Sequence, residues 1–481
     1  MKTHSRFFFF LTLLFTCSAS AQIGTRFPSE KKIVIDPVTG VPLVFLTSKP
    51  AGDSKIYQTH HQWTSDGKWL VFRSNRVPGQ AMAVNEETGD LVQVTEGGFT
   101  GMLCLADHSM SLYFLRILPL PGETPPPPPD VAAVASAGTL RSDPPAPGAP
   151  AARGGRGGRG GPRGPSQIIR TDLAKLFADS AAGKLSPASA YEKICGTVPP
   201  EFGAVGDVAL DPTEDFVYFR VGNRELAASH LAPGTKPAAT YGPRNMGAGP
   251  TGLASMDLKT GVVKFIVAVP FQIGHVQTNP WMPGEIVFCW ETGGKAPQRT
   301  WTVKSDGTGL RPLWPEASHD WVTHEAVITR DEVAIAILAH RRPGLAETDP
   351  WGVSSTGEFP SGVGIVNLRT REMRIVGQVP VGNPGRSIWH VNGSPDGRWA
   401  VADDFRYRLW LIDRKSGEMV VLASMGEKTT AADHIHPTFN ADSTKIEIQS
   451  AMLSENGRSL NICVVPIPEK FLQRTYPTKL N

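Results

Sequence analysis

One pattern recurs along the whole of this 481-residue chain. A turn with Asp or Gly leads into a short apolar run, and a second short run and another turn follow. The first apolar runs of successive units are residues 69–73, 112–115, 217–220, 286–290, 333–338, 399–402 and 445–449. About seven units of roughly 40 to 70 residues, each a meander of short antiparallel strands, are typical of a β-propeller. The repeat therefore predicts an all-β fold, a seven-bladed β-propeller.

The two ends of the repeat complement each other. Residues 42–47 have the pattern of a fourth strand in a unit that lacks its first three, whereas the last unit has three strands and lacks a fourth. We expect the N-terminal strand to complete the last blade, because this closes the ring and removes its open strand edges. Helical periodicity is confined to residues 171–182 and, more weakly, 187–194.

The first residues have the pattern of an export signal. Lys2 and Arg6 flank the start of an apolar run at 7–15, and Ala19-Ser20-Ala21 has the A-x-A form of a cleavage site. Residues 1–21 are therefore predicted to be a signal peptide, and 22–481 a single propeller domain. No apolar run approaches the roughly 18 residues that a transmembrane helix needs. The expected localisation is exported, either periplasmic or secreted.

A low-complexity segment interrupts the second predicted blade at residues 119–166. It contains a proline run at 125–129 and an Arg-Gly-Gly repeat at 153–164. Such sequence cannot bury a core, which predicts a disordered insertion. RNA binding by the Arg-Gly repeat is the alternative. Away from this segment the charges nearly balance, and the whole chain carries a net charge of only +3, so we expect no nucleic-acid partner.

Four cysteines follow the predicted signal peptide: Cys104, Cys195, Cys289 and Cys463. Three of them lie in apolar, strand-like runs, where free cysteine usually behaves as a small buried hydrophobe. Their spacing matches no zinc template and indicates no disulfide pairing. We therefore expect buried thiols.

Histidines recur at a similar phase of the repeat. In five units a histidine lies in the predicted innermost strand, a few residues before the turn that ends it. These histidines are His61, His275, His324, His390 and His436. The innermost strands of a propeller line its central channel and start on the same face, so these imidazoles are expected to converge on one mouth. A water-filled channel that merely tolerates polar residues is the alternative. The recurrence of one residue type favours a metal or anion site.

The most specific local motif is His434-Ile435-His436. In a strand, alternation would place both imidazoles on the same face. Neutral imidazole is the commonest metal-binding side chain, so the motif predicts two ligands of one divalent ion. Two hydrogen-bonded histidines on a loop are the alternative.

These motifs resemble a known family. The quoted elements are 46–47, 57–59, 64–67 and 94–97, followed by Gly274-His275, 288–291, 299–301, Thr323-His324-Glu325, His390 and 434–439. In this order they resemble the oligogalacturonate lyases, the pectin-degrading seven-bladed propellers of polysaccharide lyase family 22. The resemblance covers nearly all of the mature chain except the insertion.

The resemblance implies a divalent metal, typically manganese, held by three histidines that match His390, His434 and His436. The family's fourth ligand, a glutamine, would fall at Ala431, so water or another side chain such as the nearby Asp433 would have to replace it.

The resemblance also implies catalytic residues. The family's proposed base is an arginine that matches Arg299, and a histidine that matches His324 lies beside it. The chain departs from the family at Trp290, where a histidine is usual, and at Pro297, which replaces an acidic residue.

The implied reaction is β-elimination from a 4-linked uronic acid in an oligosaccharide. The metal would neutralise the carboxylate next to the C5 proton. Arg299 is an awkward base because guanidinium has a pKa above about 12, so Arg299 as base and His324 as base remain equal alternatives. His61, His275 and Glu291 are candidates for binding sugar hydroxyls. The competing hypotheses are a non-catalytic, TolB-like binding scaffold and a lyase for another uronate.

Overall fold

The computed structural model describes residues 22–120, 164–240, 246–292, 296–317, 320–340, 361–379, 387–425, 434–455 and 459–475. Within these ranges, seven antiparallel sheets of four or five strands follow one another along the chain and form a ring. The predicted all-β, seven-bladed β-propeller is confirmed.

Each of the first four blades begins with its innermost strand. Blade 1 contains β4 (Asp53–Lys55), β5 (Trp69–Ser74), β6 (Ala81–Asn85) and β7 (Leu91–Gln93), with β1 (Arg26–Phe27) on its outer edge. Blade 2 contains β8 (Thr100–Leu105), β9 (Ser111–Ile117), β10 (Ser166–Asp172) and β11 (Glu192–Val198). Blade 3 contains β12 (Ala204–Leu210), β13 (Phe216–Val221), β14 (Ala248–Asp257) and β15 (Val263–Phe271). Blade 4 contains β16 (Ile273–Thr278), β17 (Glu285–Trp290), β18 (Thr300–Lys304) and β19 (Arg311–Pro312).

The remaining three blades follow the same order. Blade 5 contains β20 (Asp320–Thr329), β21 (Glu332–His340), β22 (Gly362–Asn367) and β23 (Met373–Gln378). Blade 6 contains β24 (Ile388–Gly393), β25 (Trp399–Asp404), β26 (Leu409–Asp413) and β27 (Met419–Ala423). Blade 7 contains β28 (Thr438–Phe439), β29 (Lys445–Ser450) and β30 (Asn461–Pro466), then β3 (Pro42–Phe45) and β2 (Lys32–Ile35).

The N-terminal strands close the ring as predicted. β3 pairs with β30 in the register Val44↔Val464 and Phe45↔Cys463, and β2 adds a fifth strand outside it. The Leu46 N–H extends the ladder by donating to the carbonyl of Ile462 at 2.9 Å. Because the first and last parts of the chain share one sheet, neither leaves an unpaired edge between blades 7 and 1.

The cores lie between neighbouring blades. Leu46, Leu70 and Ile462 share one buried cluster that joins blade 7 to blade 1. The turns of the repeat are built alike: the Thr64 hydroxyl donates to Asp66 Oδ1 at 2.6 Å, and Ser394 does the same to Asp396 at 2.5 Å. Each turn thus uses a side-chain carboxylate to hold the chain reversal.

The described ranges contain three α-helices, α1 (Leu173–Ala182), α2 (Arg224–Ser229) and α3 (Glu469–Leu472), and two short 3-10 helices at Ala188–Ala190 and Pro200–Phe202. Asp172 caps α1 by accepting the Lys175 N–H, and Phe177 stacks on Trp69 of blade 1 at 4.1 Å between ring centroids. The helix predicted near 171–182 is therefore confirmed. The weaker helical prediction at 187–194 is confirmed only for a short 3-10 helix at Ala188–Ala190, because the chain from Glu192 onwards belongs to β11 and pairs with β10. None of these helices has the length and hydropathy needed to cross a membrane.

The predicted signal peptide lies outside the described residues, as does 121–163, most of the predicted insertion. The strands that flank this segment, β9 and β10, pair directly in blade 2. The four cysteines are unpaired; Cys104, Cys289 and Cys463 are buried as expected, whereas Cys195 is half-buried.

Candidate active-site cavity

A cavity of 510 Å³ opens at the end of the channel where most of the innermost strands begin. It brings together seven of the eight predicted site residues, which are His275, Glu291, Arg299, His324, His390, His434 and His436. Blades 4 to 7 supply all of them, so one half of the cavity wall is rich in histidine. This volume falls within the roughly 300–1,000 Å³ typical of small-ligand pockets.

His61 is not part of this cavity. Its Nε2 lies 2.8 Å from Asp107 Oδ1, and its side chain is about half exposed. The inner strand of blade 1 ends at Lys55, and Lys55 and Tyr57 still line the cavity. His61 follows several residues later, towards the other end of the channel. Its predicted position near the start of the inner strand is wrong.

The His434-Ile435-His436 segment is not a strand, because β28 begins only at Thr438. The backbone of His436 has a φ of +46°, and the Ile435 carbonyl accepts the Gln449 N–H at 3.1 Å. Ile435 is fully buried in the core between blades 6 and 7. Both imidazoles nevertheless line the cavity. A turn of the backbone, and not the alternation of a strand, directs them there.

Asp403 holds His390 in place. Its carboxylate accepts the His390 N–H at 2.6 Å and lies 2.8 Å from His390 Nδ1. Since a carboxylate accepts, Nδ1 of the neutral ring carries the proton and Nε2 keeps its lone pair. Burial, followed by the neighbouring His434, lowers the pKa of His390 well below its usual value. Burial raises the pKa of Asp403 to about 6, although His434 and backbone hydrogen bonds oppose this shift.

His436 has a different hydrogen-bond partner, Gln449. The Gln449 side-chain oxygen accepts from the Ser54 hydroxyl and the Lys55 N–H, which fixes the orientation of the amide. Its nitrogen donates to the His434 carbonyl and lies 2.8 Å from His436 Nδ1. Nδ1 of neutral His436 therefore accepts, and the proton is on Nε2.

A divalent metal fits the donor set of this region. Potential ligand atoms of His390, Asp403 and His434 lie within 4.8 Å of one another. His436 is close, with its ring centroid 3.9 Å from that of His390, and burial lowers its pKa as well. Neutral imidazoles are the form that binds metal. His436 fits less directly than His390, because its lone pair is directed to the amide of Gln449.

His324 has one nitrogen committed and one available. Nδ1 lies 2.6 Å from the carbonyl oxygen of Trp389, which can only accept, so Nδ1 carries the proton and Nε2 the lone pair. Burial and the adjacent His390 and His275 lower the pKa of His324 well below its usual value. The ring is neutral at pH 7, with an unprotonated nitrogen in the cavity wall.

His275 has the opposite electrostatic setting. Nδ1 lies 2.8 Å from Glu325 Oε1, and Nε2 lies 3.3 Å from Glu291 Oε2 and 3.4 Å from the hydroxyl of Tyr57. Burial alone would lower the pKa of His275, but the two carboxylates outweigh it and the net shift is upward. With a backbone φ of +51°, His275 is also held in a conformation that few non-glycine residues adopt.

Arg299 is a buried cation beside the same carboxylates. Its guanidinium lies 3.4 Å from Glu291 Oε2 and 3.5 Å from Glu325 Oε2. Burial would lower the pKa of Arg299, but the carboxylates of Glu291 and Glu325 raise it further above its usual value. Arg299 is therefore firmly protonated.

A second group with suitable ligand atoms, His275, Cys289 and Glu325, also lies in this region. The Arg299 guanidinium already neutralises Glu325, and burial raises the pKa of Cys289 well above its usual value, which keeps the thiol protonated. At this second group the Arg299 guanidinium, a cation of the protein itself, therefore occupies the place that a metal ion would take.

Two departures from the family pattern, Trp290 and Pro297, do not line the cavity. Trp290 packs against Phe271 with 4.9 Å between ring centroids, and its indole donates to the Gly247 carbonyl at 3.0 Å. Pro297 is exposed. Ala431 and Asp433 lie outside the described residues. Among the described residues, Asp403 is the carboxylate placed to replace the missing glutamine, because its oxygen lies within 4.8 Å of potential ligand atoms of His390 and His434.

Sequence reasoning missed four cavity-related residues: Tyr57, Glu325, Asp403 and Gln449. Tyr57 and Glu325 stand inside the quoted motifs 57–59 and 323–325, so those motifs could have indicated them. Asp403 and Gln449 lie on β25 and β29, the second strands of blades 6 and 7. Only the pairing of neighbouring strands brings them to the histidines.

A scan against protein-family models finds no match, and a search of curated proteins finds no significant relative. Solved structures do match. An oligogalacturonate lyase in complex with manganese is 17% identical, with a TM-score of 0.63 over 94% of this chain and 100% of that one. The chain has the oligogalacturonate lyase fold. An oligogalacturonate lyase from Vibrio parahaemolyticus, 16% identical, has the same TM-score and coverage. These likenesses confirm the resemblance in the sequence at the level of the fold.

Proposed function

We propose that the protein is an exported, metal-dependent polysaccharide lyase that cleaves uronate-containing oligosaccharides by β-elimination. The observation that carries the proposal is one cavity wall in which the protonated Arg299 lies near neutral histidines. A uronate needs both: a cation for its carboxylate and an unprotonated nitrogen for its C5 proton. His324 lies on β20, the inner strand of blade 5, whereas Arg299 directly precedes β18, the third strand of blade 4.

His390 and His434 would hold a divalent metal such as manganese, with Asp403 orienting His390 or joining the ligands. His436 would join the set only by giving up its hydrogen bond with Gln449, because metal binding needs the lone pair that accepts from that amide. When bound, such an ion acts as a Lewis acid that neutralises the uronate carboxylate, worth several kcal/mol at the transition state. The side chains of the protein perform the remaining steps.

Arg299 is assigned to carboxylate binding and His324 to proton abstraction. A guanidinium beside two carboxylates does not release its proton near pH 7, because they stabilise its charged form. His324 Nε2 is unprotonated and takes the C5 proton. The C5–H electron pair then forms the C4–C5 double bond, and the bond from C4 to the leaving oxygen breaks.

His275 is assigned to the leaving oxygen. Its raised pKa favours the imidazolium, which can donate a proton to that oxygen as the bond breaks. The Tyr57 hydroxyl, 3.4 Å from His275 Nε2, and the Glu291 carboxylate are suited to binding sugar hydroxyls.

The test is an ultraviolet assay for unsaturated uronate, with mature protein, manganese, and a panel of oligogalacturonides and glucuronate-containing oligosaccharides. We expect new absorbance that EDTA abolishes, and the panel then identifies the uronate. No product from any substrate, together with no bound metal, would instead support the binding-scaffold alternative.

A further inference from the structure

The cavity has a second half, supplied by blades 1 to 3, that contains an unpaired cation. Arg73 is the fifth residue of β5 and lines the cavity. One of its terminal nitrogens lies 3.3 Å from the Gly101 carbonyl and 3.4 Å from the Met102 sulfur. Among the described residues, no carboxylate forms an ion pair with it. Burial lowers the pKa of Arg73 to about 10, which still leaves it charged at pH 7.

The other charges nearby are already balanced. Lys55 Nζ lies 3.7 Å from Glu447 Oε2, and both side chains are buried. Asp207 forms a 3.0 Å ion pair with Arg220 and accepts the His275 N–H. Neither carboxylate pairs with Arg73, so the positive charge of Arg73 is the surplus of this half.

Glycine backbone forms part of the cavity wall around Arg73. A Cβ on Gly101 would lie 1.9 Å from the Gly206 carbonyl oxygen, so the backbones of blades 2 and 3 meet directly where they line the cavity. Phe99 and Gln80 line the same part of the cavity and offer an aromatic surface and an amide. An aromatic face, an amide and a cation are groups that suit an acidic sugar.

We propose that Arg73 binds an acidic group, a carboxylate or a sulfate, on the sugar next to the one that is cleaved. This inference rests on the proposed function, because it takes the ligand to be an acidic oligosaccharide. Under the proposed function the cleaved uronate lies in the half from blades 4 to 7, so a second acidic group that reaches Arg73 gives the preferred ligand at least two acidic groups. An arginine matches a carboxylate or sulfate with two parallel hydrogen bonds.

The test is titration calorimetry in EDTA, which prevents metal-dependent turnover during the binding measurement. The ligands are 4-linked digalacturonate, the two disaccharides in which one or the other sugar is neutral, and a disaccharide whose neutral sugar carries a sulfate ester. Arg73→Gln is compared with wild type and with Arg26→Gln, which removes an exposed arginine from the outer edge of the same blade. Arg73→Lys keeps the charge without the planar fork.

We expect wild type to bind digalacturonate about 10- to 100-fold more tightly than the ligand that is neutral at the Arg73 position. Arg73→Gln should remove this preference and leave the affinity for that half-neutral ligand unchanged, whereas Arg26→Gln should change neither. A sulfate that binds as well as a carboxylate would identify a general anion subsite, and a weaker sulfate would identify a carboxylate subsite.

Equal weakening of all ligands by Arg73→Gln, or no weakening of any, would overturn the proposal. A clear fall in the melting temperature of Arg73→Gln would also count against it, since a structural role would then explain the residue. Failure of the proposed function gives a different result: no unsaturated product with manganese, while the Arg73-dependent preference for the second acidic group persists.

Discussion

The two halves of the cavity handle charge differently. In the half from blades 4 to 7, Arg299 and His275 lie against Glu291 and Glu325, and the other histidines are neutral. In the half from blades 1 to 3, Arg73 has no carboxylate partner among the described residues. A balanced and organised set of groups is suited to chemistry, whereas an unpaired cation is suited to binding. The same repeat therefore provides two kinds of surface on one channel.

The largest expected effect comes from removing a metal ligand in the histidine half. His434→Ala should lower turnover by about 1,000-fold or more, because the Lewis acid supplies several kcal/mol. It should also remove bound metal, as measured by elemental analysis, while circular dichroism stays unchanged. His108→Ala, an exposed histidine on the loop after β8, is the matched control and should retain both. Full activity of His434→Ala would eliminate the metal assignment.

The next effect separates the two basic residues of that half. His324→Ala should lower kcat by about 100-fold or more, the usual contribution of a general base, with metal content retained. Arg299→Gln should mainly raise KM, because it removes a partner for the substrate carboxylate. Steady-state kinetics on both variants decides the assignment. If Arg299→Gln lost kcat while His324→Ala kept it, the arginine would be the base.

The glycine wall tests the shape of the other half. Gly101→Ala should lower the free energy of unfolding by about 2–4 kcal/mol, because the new Cβ meets the Gly206 carbonyl at 1.9 Å and the φ of +76° disfavours alanine. Gly67→Ala has a similar φ of +70° and open space, so it isolates the backbone cost of about 1 kcal/mol. If urea denaturation showed the same loss of unfolding free energy for Gly101→Ala and Gly67→Ala, the contact between blades 2 and 3 would not be tight.

The smallest effect concerns a buried ion pair at the boundary between the two halves, formed by Lys55 of blade 1 and Glu447 of blade 7. Burial raises the pKa of Glu447 from 4.5 to about 7 and lowers that of Lys55 from 10.5 to about 8. Between pH 4.5 and 7 the folded protein binds more protons at Glu447 than the unfolded chain, so stability falls as pH rises. Between pH 8 and 10.5 the folded protein has released the Lys55 proton that the unfolded chain keeps, so stability rises.

Each of these two pH-dependent limbs of the stability curve should amount to at most about 3 kcal/mol in denaturant titrations across pH, because a pKa shift of one unit is worth about 1.4 kcal/mol. The double variant Lys55→Met, Glu447→Leu should flatten both limbs relative to wild type. It should be as stable as wild type near pH 7 or more so, because a buried ion pair is costly to desolvate. Unchanged limbs in the double variant would show that other groups cause them.

Much of this fold could be predicted from the sequence because its turns are local. Asp66 and Asp396 hold their chain reversals through neighbouring hydroxyls, and a single sequence contains that chemistry. The helix predicted at 187–194 is limited to a 3-10 helix at Ala188–Ala190, because from Glu192 onwards cross-strand pairing with β10, a tertiary interaction, outweighs local preference.

The site was predictable where the repeat is regular. His390 lies within β24, which ends three residues before Asp396, so counting back from the turn places it correctly. In blade 1, β4 ends at Lys55, eleven residues before Asp66, and the same counting misplaces His61. Asp403 and Gln449 could not be predicted, because their contacts with the histidines depend on how neighbouring strands pair.

The proposed function requires that the histidine-rich half of the cavity, supplied by blades 4 to 7, holds one metal ion needed for uronate cleavage. The most direct test is to strip the protein with EDTA, add manganese stepwise, and follow bound metal and unsaturated uronate together. Turnover should rise in proportion to bound metal up to one ion per chain, and His434→Ala should show neither bound metal nor turnover. Turnover that persists in the stripped protein, or metal binding that His434→Ala leaves unchanged, would contradict the proposed function.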